Sequence, residues 1–293
     1  MKKVLVTGAN GFVGSYCVKY LIEHGYNVIS LIHHSYNRLV GIDTKIIESD
    51  ISDRFCINRI SEEIGECEFL IHLAADIRVP GDDISIINNE LGTYNIGLIA
   101  RMLNTSKIVY LSSIPLIGVP CQLPINENHP VMPLTIYHET KLAGEVILSQ
   151  LCSDKIVVSL RAASPIGIGM NPNNYLSFLI SCAQANKPIT LYGQGQRVQN
   201  YIDVRDLCSA LLNSLNVGES DTYVLPGYQS ISNLELAKRV ISITGSNSIV
   251  QFAGMPDIHE QEKWILDGSK IKADLGYVPE HPLEETIKWI IGG

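Results

Sequence analysis

Tyr137 and Lys141 stand four residues apart in the stretch YHETK. On a helix, side chains at i and i+4 are neighbours, so this spacing would bring an ammonium group to a phenol. A nearby positive charge favours the phenolate and draws a tyrosine pKa down from about 10 towards neutrality. Tyr137 would then serve as acid or base at an alcohol–ketone centre. Ala143, Val146, Ile147 and Leu151 continue a helical apolar face downstream. Taken alone, the spacing fits a surface helix with a packed tyrosine at its start equally well. Ser112 and Ser113 close the apolar run KIVYLSS. A hydroxyl at the carboxyl end of such a strand either bonds a reacting oxygen or caps the following turn.

A second chemistry-bearing stretch, TGANGFVG, places Gly8, Gly11 and Gly14 at offsets of three between an apolar run and a helical pattern. Glycine weakens a regular element by up to about 1 kcal/mol against alanine, so close backbone approach is the reason to use it three times. The free N–H groups and dipole of a helix N-terminus favour an anion there. Gly8 would permit the tight turn, Gly11 the approach of a pyrophosphate, and Gly14 the packing of helix on strand.

These residues need a frame, and the chain supplies one. KVLV, NVISLI, TKIIE, FLIHLA, KIVYLSS and KIVVSL are near-continuous apolar runs, as expected of strands covered on both faces. Val13, Cys17, Val18, Leu21 and Ile22 form one helical face between the first two, and Gly25 stops it. The βαβα order predicts an α/β fold with a doubly wound parallel sheet. From about Pro165 the pattern becomes irregular. Residues 1–164 are expected to form a dinucleotide-binding domain, and 165–293 a smaller substrate region with some segments returning to the sheet.

Bulk properties exclude other classes. With 293 residues and a net charge of −8, there is no basic face for nucleic acid. The seven cysteines are dispersed, without metal-ligand spacing, so free thiols in a reducing cytoplasm and no bound metal are expected. The apolar stretch after MKK is too short for a signal peptide. No apolar run reaches the ~18 residues of a membrane span.

The ordered set TGANGFVG, HLAA at 72–75, NELGTYN at 89–95, SSIPLIG at 112–118, the Tyr137–Lys141 pair and LRAASPIG at 160–167 resembles the extended short-chain dehydrogenase/reductases, specifically the NAD-dependent epimerase/dehydratase group. The likeness continues through LYGQGQRVQNYIDVRDL and LGYVPEHPLEETI, and so covers nearly the whole chain. It implies a Rossmann-type fold and a catalytic set of Ser113, Tyr137 and Lys141. Gly8, Asn10, Gly11, Phe12, Val13 and Gly14 would hold the dinucleotide pyrophosphate. Asp50 and Ile51 would meet the adenine, and Leu73, Ala74 and Ala75 would line the cofactor. Tyr137, Lys141 and Ser164 would lie at its nicotinamide end. Asn89 matches an asparagine at the start of a helix beneath the site, or is a simple N-cap. His72 is expected to be structural. A homodimer is expected as well.

Three departures shape the functional expectation. Ile114 and Pro115 follow Ser113, where the dehydratases of the group carry acidic residues, so water elimination is disfavoured. Gln199 occupies the place of a phosphate-binding arginine, with Arg197 two residues earlier; both are candidate substrate contacts. After the second strand, Ile32 stands where an acid would meet the ribose 2′-hydroxyl. His33, His34 and Arg38 follow it, all donors suited to a 2′-phosphate, so NADP is expected in preference to NAD. The leading expectation is 4-keto reduction or 4-epimerisation of a nucleotide-activated sugar. A reductase of a lipophilic carbonyl and a non-catalytic cofactor sensor are the alternatives.

Overall fold

The computed structural model describes residues 1–77 and 84–293, and the side chains of 84–87 are not described. In chain order the elements are β1 (Lys3–Thr7), α1 (Phe12–Glu23), β2 (Asn27–Ile32), β3 (Lys45–Glu48), α2 (Cys56–Ile64), β4 (Phe69–His72), α3 (Ile84–Met102), β5 (Lys107–Ser113), α4 (Ile136–Leu151) and β6 (Ile156–Ala162). The second half adds β7 (Ser164–Ile166), α5 (Tyr175–Gln184), β8 (Ile189–Leu191), β9 (Val198–Asp203), α6 (Val204–Ser214), β10 (Asp221–Leu225), β11 (Ser230–Ser232), α7 (Asn233–Thr244), β12 (Val250–Phe252), α8 (Ser269–Leu275) and α9 (Leu283–Gly292).

Seven strands form one parallel sheet in the order β10-β6-β5-β4-β1-β2-β3. This is the doubly wound Rossmann-type arrangement. All six apolar runs of the first half enter it. Alternation along β1 explains the two cores: Val4 and Val6 pack with Val18 and Leu21 of α1 and Leu207 and Leu211 of α6, while Leu5 packs on the other face with Ile60 of α2, Ile99 of α3 and Leu148 of α4. Each such fully buried side chain contributes about 1.5–3 kcal/mol of apolar burial.

β10 comes from the second half and pairs in parallel with β6, from Asp221 beside Val158 to Leu225 beside Ala162. The remaining second-half strands form a three-stranded sheet, β11-β9-β7, and a two-stranded one, β12-β8. A third core of Leu176, Leu179, Leu236, Val240 and Ile287 joins α5, α7 and α9 over them. In the large sheet the direction of winding reverses between β1 and β4, and the crevice at their carboxyl ends is where such sheets bind ligands. No helix among the described residues is long and apolar enough to cross a membrane. The seven cysteines are free, and the described residues contain no group of three metal-ligating side chains.

Candidate active site

The glycine loop opens this crevice. Gly8 has φ +65°, and an added Cβ would lie 2.7 Å from the Ala74 nitrogen. Gly14 rests on the loop itself, since its Cβ would come within 2.1 Å of the Gly8 oxygen. Gly11 is the N-cap of α1 and gives no side-chain cap. The first turn, Phe12 to Gly14, carries no acidic residue, so its N–H groups suit a phosphate. A bare backbone cradle at a helix N-terminus fits a dinucleotide pyrophosphate.

Beyond the loop runs a cavity of about 410 Å³. Gly8, Asn10 and Gly11 form its floor; Leu73, Ala74 and Ala75 line one wall, and His33, His34, Asp50 and Ile51 another. His33 and His34 stack with ring centroids 3.6 Å apart. Asp50 lies beside them, its Oδ2 3.6 Å from His33 Nε2. Partial burial works to raise the Asp50 carboxyl, but the Ser52 hydroxyl and N–H and the two histidines outweigh it and hold the group below its ordinary value. An acid absent from the end of β2 therefore reaches the same corner from the end of β3.

Arg38 is not in the lining of this cavity. Its backbone N–H is held by Asn10 Oδ1 at 2.9 Å, and its guanidinium donates to the Gly169 carbonyl at 2.8 Å. One guanidinium N–H group is thus engaged, because a long side chain takes whatever acceptor the fold brings near it. Ser164 is exposed at the start of β7.

The cavity reaches α4 through Asn89, which lines it. Asn89 Oδ1 accepts the Asp76 N–H at 2.6 Å, and its Nδ2 donates to the Asp76 carbonyl at 2.9 Å and to Thr140 Oγ1 at 3.1 Å. It sits inside α3, so the N-cap alternative fails. His72 is buried in a polar chain. Thr7 Oγ1 accepts the N–H groups of Leu73 and Ala74 at 3.2 Å. The single Thr7 proton thus goes to His72 Nδ1 at 2.7 Å, and the ring donates from Nε2 to Thr93 Oγ1 at 3.0 Å. Burial, helped by the Lys141 charge, pushes the imidazole down to about 3, so His72 is a neutral strut.

Tyr137 opens α4 one residue after its start, and Thr135 caps the helix by accepting the His138 N–H. Lys141 follows one turn later, with Nζ 5.8 Å from the Tyr137 ring centroid and 4.9 Å from that of Tyr110. Lys141 Nζ donates to the Leu111 carbonyl at 2.8 Å. Ser113, two residues further along β5, is half-buried, and Leu111 and Ser113 share one face of the strand. The structure thus brings Tyr137 and Lys141 together and ties Lys141 to the strand that carries Ser113. It overturns their expected electrostatics. Burial pushes the Tyr137 phenol up to about 12, and burial lowers Lys141 to about 8 against the opposing influence of Glu145. Desolvation penalises both charged forms, and here it outweighs the attraction of ammonium for phenolate.

A second cavity, of about 430 Å³, lies in the C-terminal region. Arg197 and Gln199 line it, together with Tyr175, Tyr192, Asn233 and Asp257. Arg197 Nη2 is 3.2 Å from Glu262 Oε2, while its buried Nε and the buried Oδ1 of Asn233 have no partner. The last four lining residues come from segments scattered over 175–257, and no local spacing announces them.

The family model for the NAD dependent epimerase/dehydratase family matches residues 4–225. A putative UDP-glucose 4-epimerase from Methanocaldococcus jannaschii is 30% identical over 98% of this chain and 97% of its own length. The dTDP-D-glucose 4,6-dehydratase of Mus musculus is 26% identical over 98% of this chain and 87% of its own. Among solved structures, UDP-glucose 4-epimerase from Thermotoga maritima, determined with UDP-glucose, superposes with a TM-score of 0.89 at 24% identity, covering 99% of this chain and 97% of that one.

Proposed function

The chain belongs to the NAD dependent epimerase/dehydratase family, and from that premise we propose that it is a 4-epimerase of a nucleotide-activated sugar. Arg197 carries this reading. Arg197 lines the second cavity while its buried Nε has no partner, so the guanidinium keeps donor capacity that a phosphate oxygen could use. A lipophilic ketone would leave that donor unsatisfied at a cost of about 1–3 kcal/mol. A cofactor sensor would need no pairing of Tyr137 with Lys141. Elimination of water is disfavoured because Ile114 is buried in an apolar cluster with Leu116 and Trp264, and neither it nor Pro115 can move a proton.

In this reading Ser113 donates a hydrogen bond to the oxygen on the sugar C4. Tyr137 takes the hydroxyl proton as that carbon is oxidised and returns it after the sugar has turned over. Lys141 stabilises the phenolate during the transfer and holds the nicotinamide ribose. A bound dinucleotide would supply the hydride acceptor and, in its oxidised form, a positive charge that favours the Tyr137 phenolate.

Epimerisation needs a cofactor that stays in place, and the Arg38–Gly169 bond, which ties the turn after β2 to the C-terminal region, supports retention. Of the two dinucleotides, this geometry supports NAD better than the NADP expected from the histidines. The ionised Asp50 beside His33 would repel a 2′-phosphate, and Arg38 is engaged elsewhere.

The test is to purify the protein without added cofactor, identify any dinucleotide it retains, and incubate it with UDP-glucose, UDP-galactose and their N-acetylated and dTDP counterparts. Interconversion of a C4 pair without net change in cofactor redox state supports the proposal. Stoichiometric reduction of added NAD or NADP, leaving the 4-keto sugar, makes the enzyme a 4-keto reductase running in reverse, and release of water makes it a dehydratase.

A further inference from the structure

Behind the reacting face lies a buried ionic group that the chemistry above does not use. Glu145, one turn along α4 from Lys141, is 8% exposed. Its Oε1 accepts from Ser112 Oγ at 2.5 Å and Arg161 Nε at 3.0 Å, and its Oε2 accepts from Arg161 Nη2 at 2.8 Å. These bonds join the catalytic helix to the last residues of β5 and β6. Ser112 immediately precedes Ser113, and successive side chains on a strand point to opposite faces. One hydroxyl is therefore fixed to Glu145, and its neighbour is presented on the face it shares with Leu111.

Such a group is a poor choice for stability alone. Removing two charges from water costs several kcal/mol each, and apolar residues of similar volume often pack as well. Its position suggests another use. The groups around Lys141 are Tyr137 and Glu145 on its own helix, Tyr110 from β5 and His72 from β4. The two tyrosines and the histidine are neutral there, so Glu145 is the negative charge in that set, and the Arg161 guanidinium bonded to it is a second positive charge behind it.

We propose that Glu145 is a positioning residue for the reaction: through Ser112 and Arg161 it sets α4 against β5 and β6, and its carboxylate, one helical turn from Lys141, is a countercharge shared between the Arg161 guanidinium and the buried Lys141 ammonium. The inference rests on the epimerase reading only for its kinetic readout.

Four variants separate the two parts of this role. Glu145→Gln keeps the shape and a hydrogen bond to Ser112 but removes the charge. Lys141 then loses its proton at lower pH, and the alkaline limb of kcat/KM moves down by about one unit, a loss of about fivefold near pH 8 that is largely recovered near pH 6. Ser112→Ala leaves every charge in place, so kcat falls about 3–10-fold at all pH values with KM unchanged, the loss of one hydroxyl–carboxylate hydrogen bond that positions the strand. Ser112→Thr restores the rate. Glu145→Asp keeps the charge but retracts it, so the rate falls while the limb stays; it also serves if Glu145→Gln does not fold.

The titration of Lys141 is read directly by NMR on protein labelled at lysine ¹³Cε and loaded with NAD, with Lys141→Met to assign the signal. This measurement needs no turnover, so an absence of activity on nucleotide sugars rejects the functional reading and leaves the Glu145 test intact. A Lys141 titration unchanged in Glu145→Gln, a limb shift in Glu145→Asp as large as in Glu145→Gln, or parent-like kinetics in Ser112→Ala would overturn the proposal.

Discussion

The two halves of the site are made from different material. The dinucleotide crevice is built of backbone: bare Cα atoms at Gly8, Gly11 and Gly14 and the open N–H groups of α1. The C-terminal cavity is built of side chains, and acidic groups hold its parts in place. Glu262 pairs with Arg197, and the Glu260 carboxylate accepts the N–H groups of Gln194 and Gln196 from the loop before it. A backbone site has no spare volume, so a single added methyl group damages it. A side-chain site can lose one group and keep its shape, at the cost of one contact. The first kind is spelled out within eight consecutive residues, and the second is gathered from segments far apart in the chain.

The comparison can be broken at four points, taken from the largest expected effect. Tyr137→Phe acts where the halves meet. It should lower kcat by about 10²–10⁴, the range for a positioned acid–base group, while isothermal titration finds dinucleotide affinity nearly unchanged. Turnover close to the parent would remove Tyr137 from the chemistry. Gly14→Ala probes the backbone half: its new methyl meets the Gly8 oxygen. Overpacking of this kind costs about 1–3 kcal/mol, so dinucleotide affinity should fall by up to about 100-fold, with Tm lowered in parallel. An unaffected affinity would show that the crevice has room to yield.

Arg197→Ala probes the side-chain half. It should raise KM for the nucleotide sugar about 10–100-fold, as for a charge-assisted bond worth roughly 1.5–3 kcal/mol, and should leave dinucleotide affinity alone. If instead Gly14→Ala raised the sugar KM or Arg197→Ala released the dinucleotide, the division between halves would fail. The smallest effect is expected at His33, where a side chain intrudes on the backbone half. The ratio of kcat/KM with NAD to that with NADP should favour NAD and change less than about tenfold in His33→Ala, since an exposed ion pair is worth about 0–1 kcal/mol. A preference for NADP at pH 6.5 that His33→Ala abolishes would restore a 2′-phosphate site between the histidines.

Legibility in the sequence follows the same division. The glycine loop and the Tyr137–Lys141 spacing could be read because each is a local pattern whose geometry is set within one turn of chain. The six strands of the first half could be read because a strand covered on both faces must be apolar throughout. β10 was harder to see: DTYVL is short, and only its pairing with β6 makes it part of the large sheet. Ser112 and Ser113 are chemically identical neighbours, and the pleat decides which of them meets Glu145. The Arg161–Glu145 pair joins residues 16 apart, and Arg38 meets Gly169 across 131 residues; nothing at either end of these contacts predicts the other.

What the sequence by itself determined is the set of backbone permissions and reactive groups: where the chain can turn at Gly8, where an anion can sit, and which phenol stands one helical turn from an ammonium. Tertiary structure alone decided how those groups behave. It packed a half-buried Tyr137 beside a buried Lys141, so that desolvation raises the phenol to about 12 and lowers the amine to about 8, against the direction that spacing suggests for the tyrosine. It brought Asp50, just after β3, to His33, just after β2. Proximity along a helix is a property of the chain, whereas the dielectric and the charges around a group depend on everything that packs against it, and those neighbours come together only when the sheet has formed.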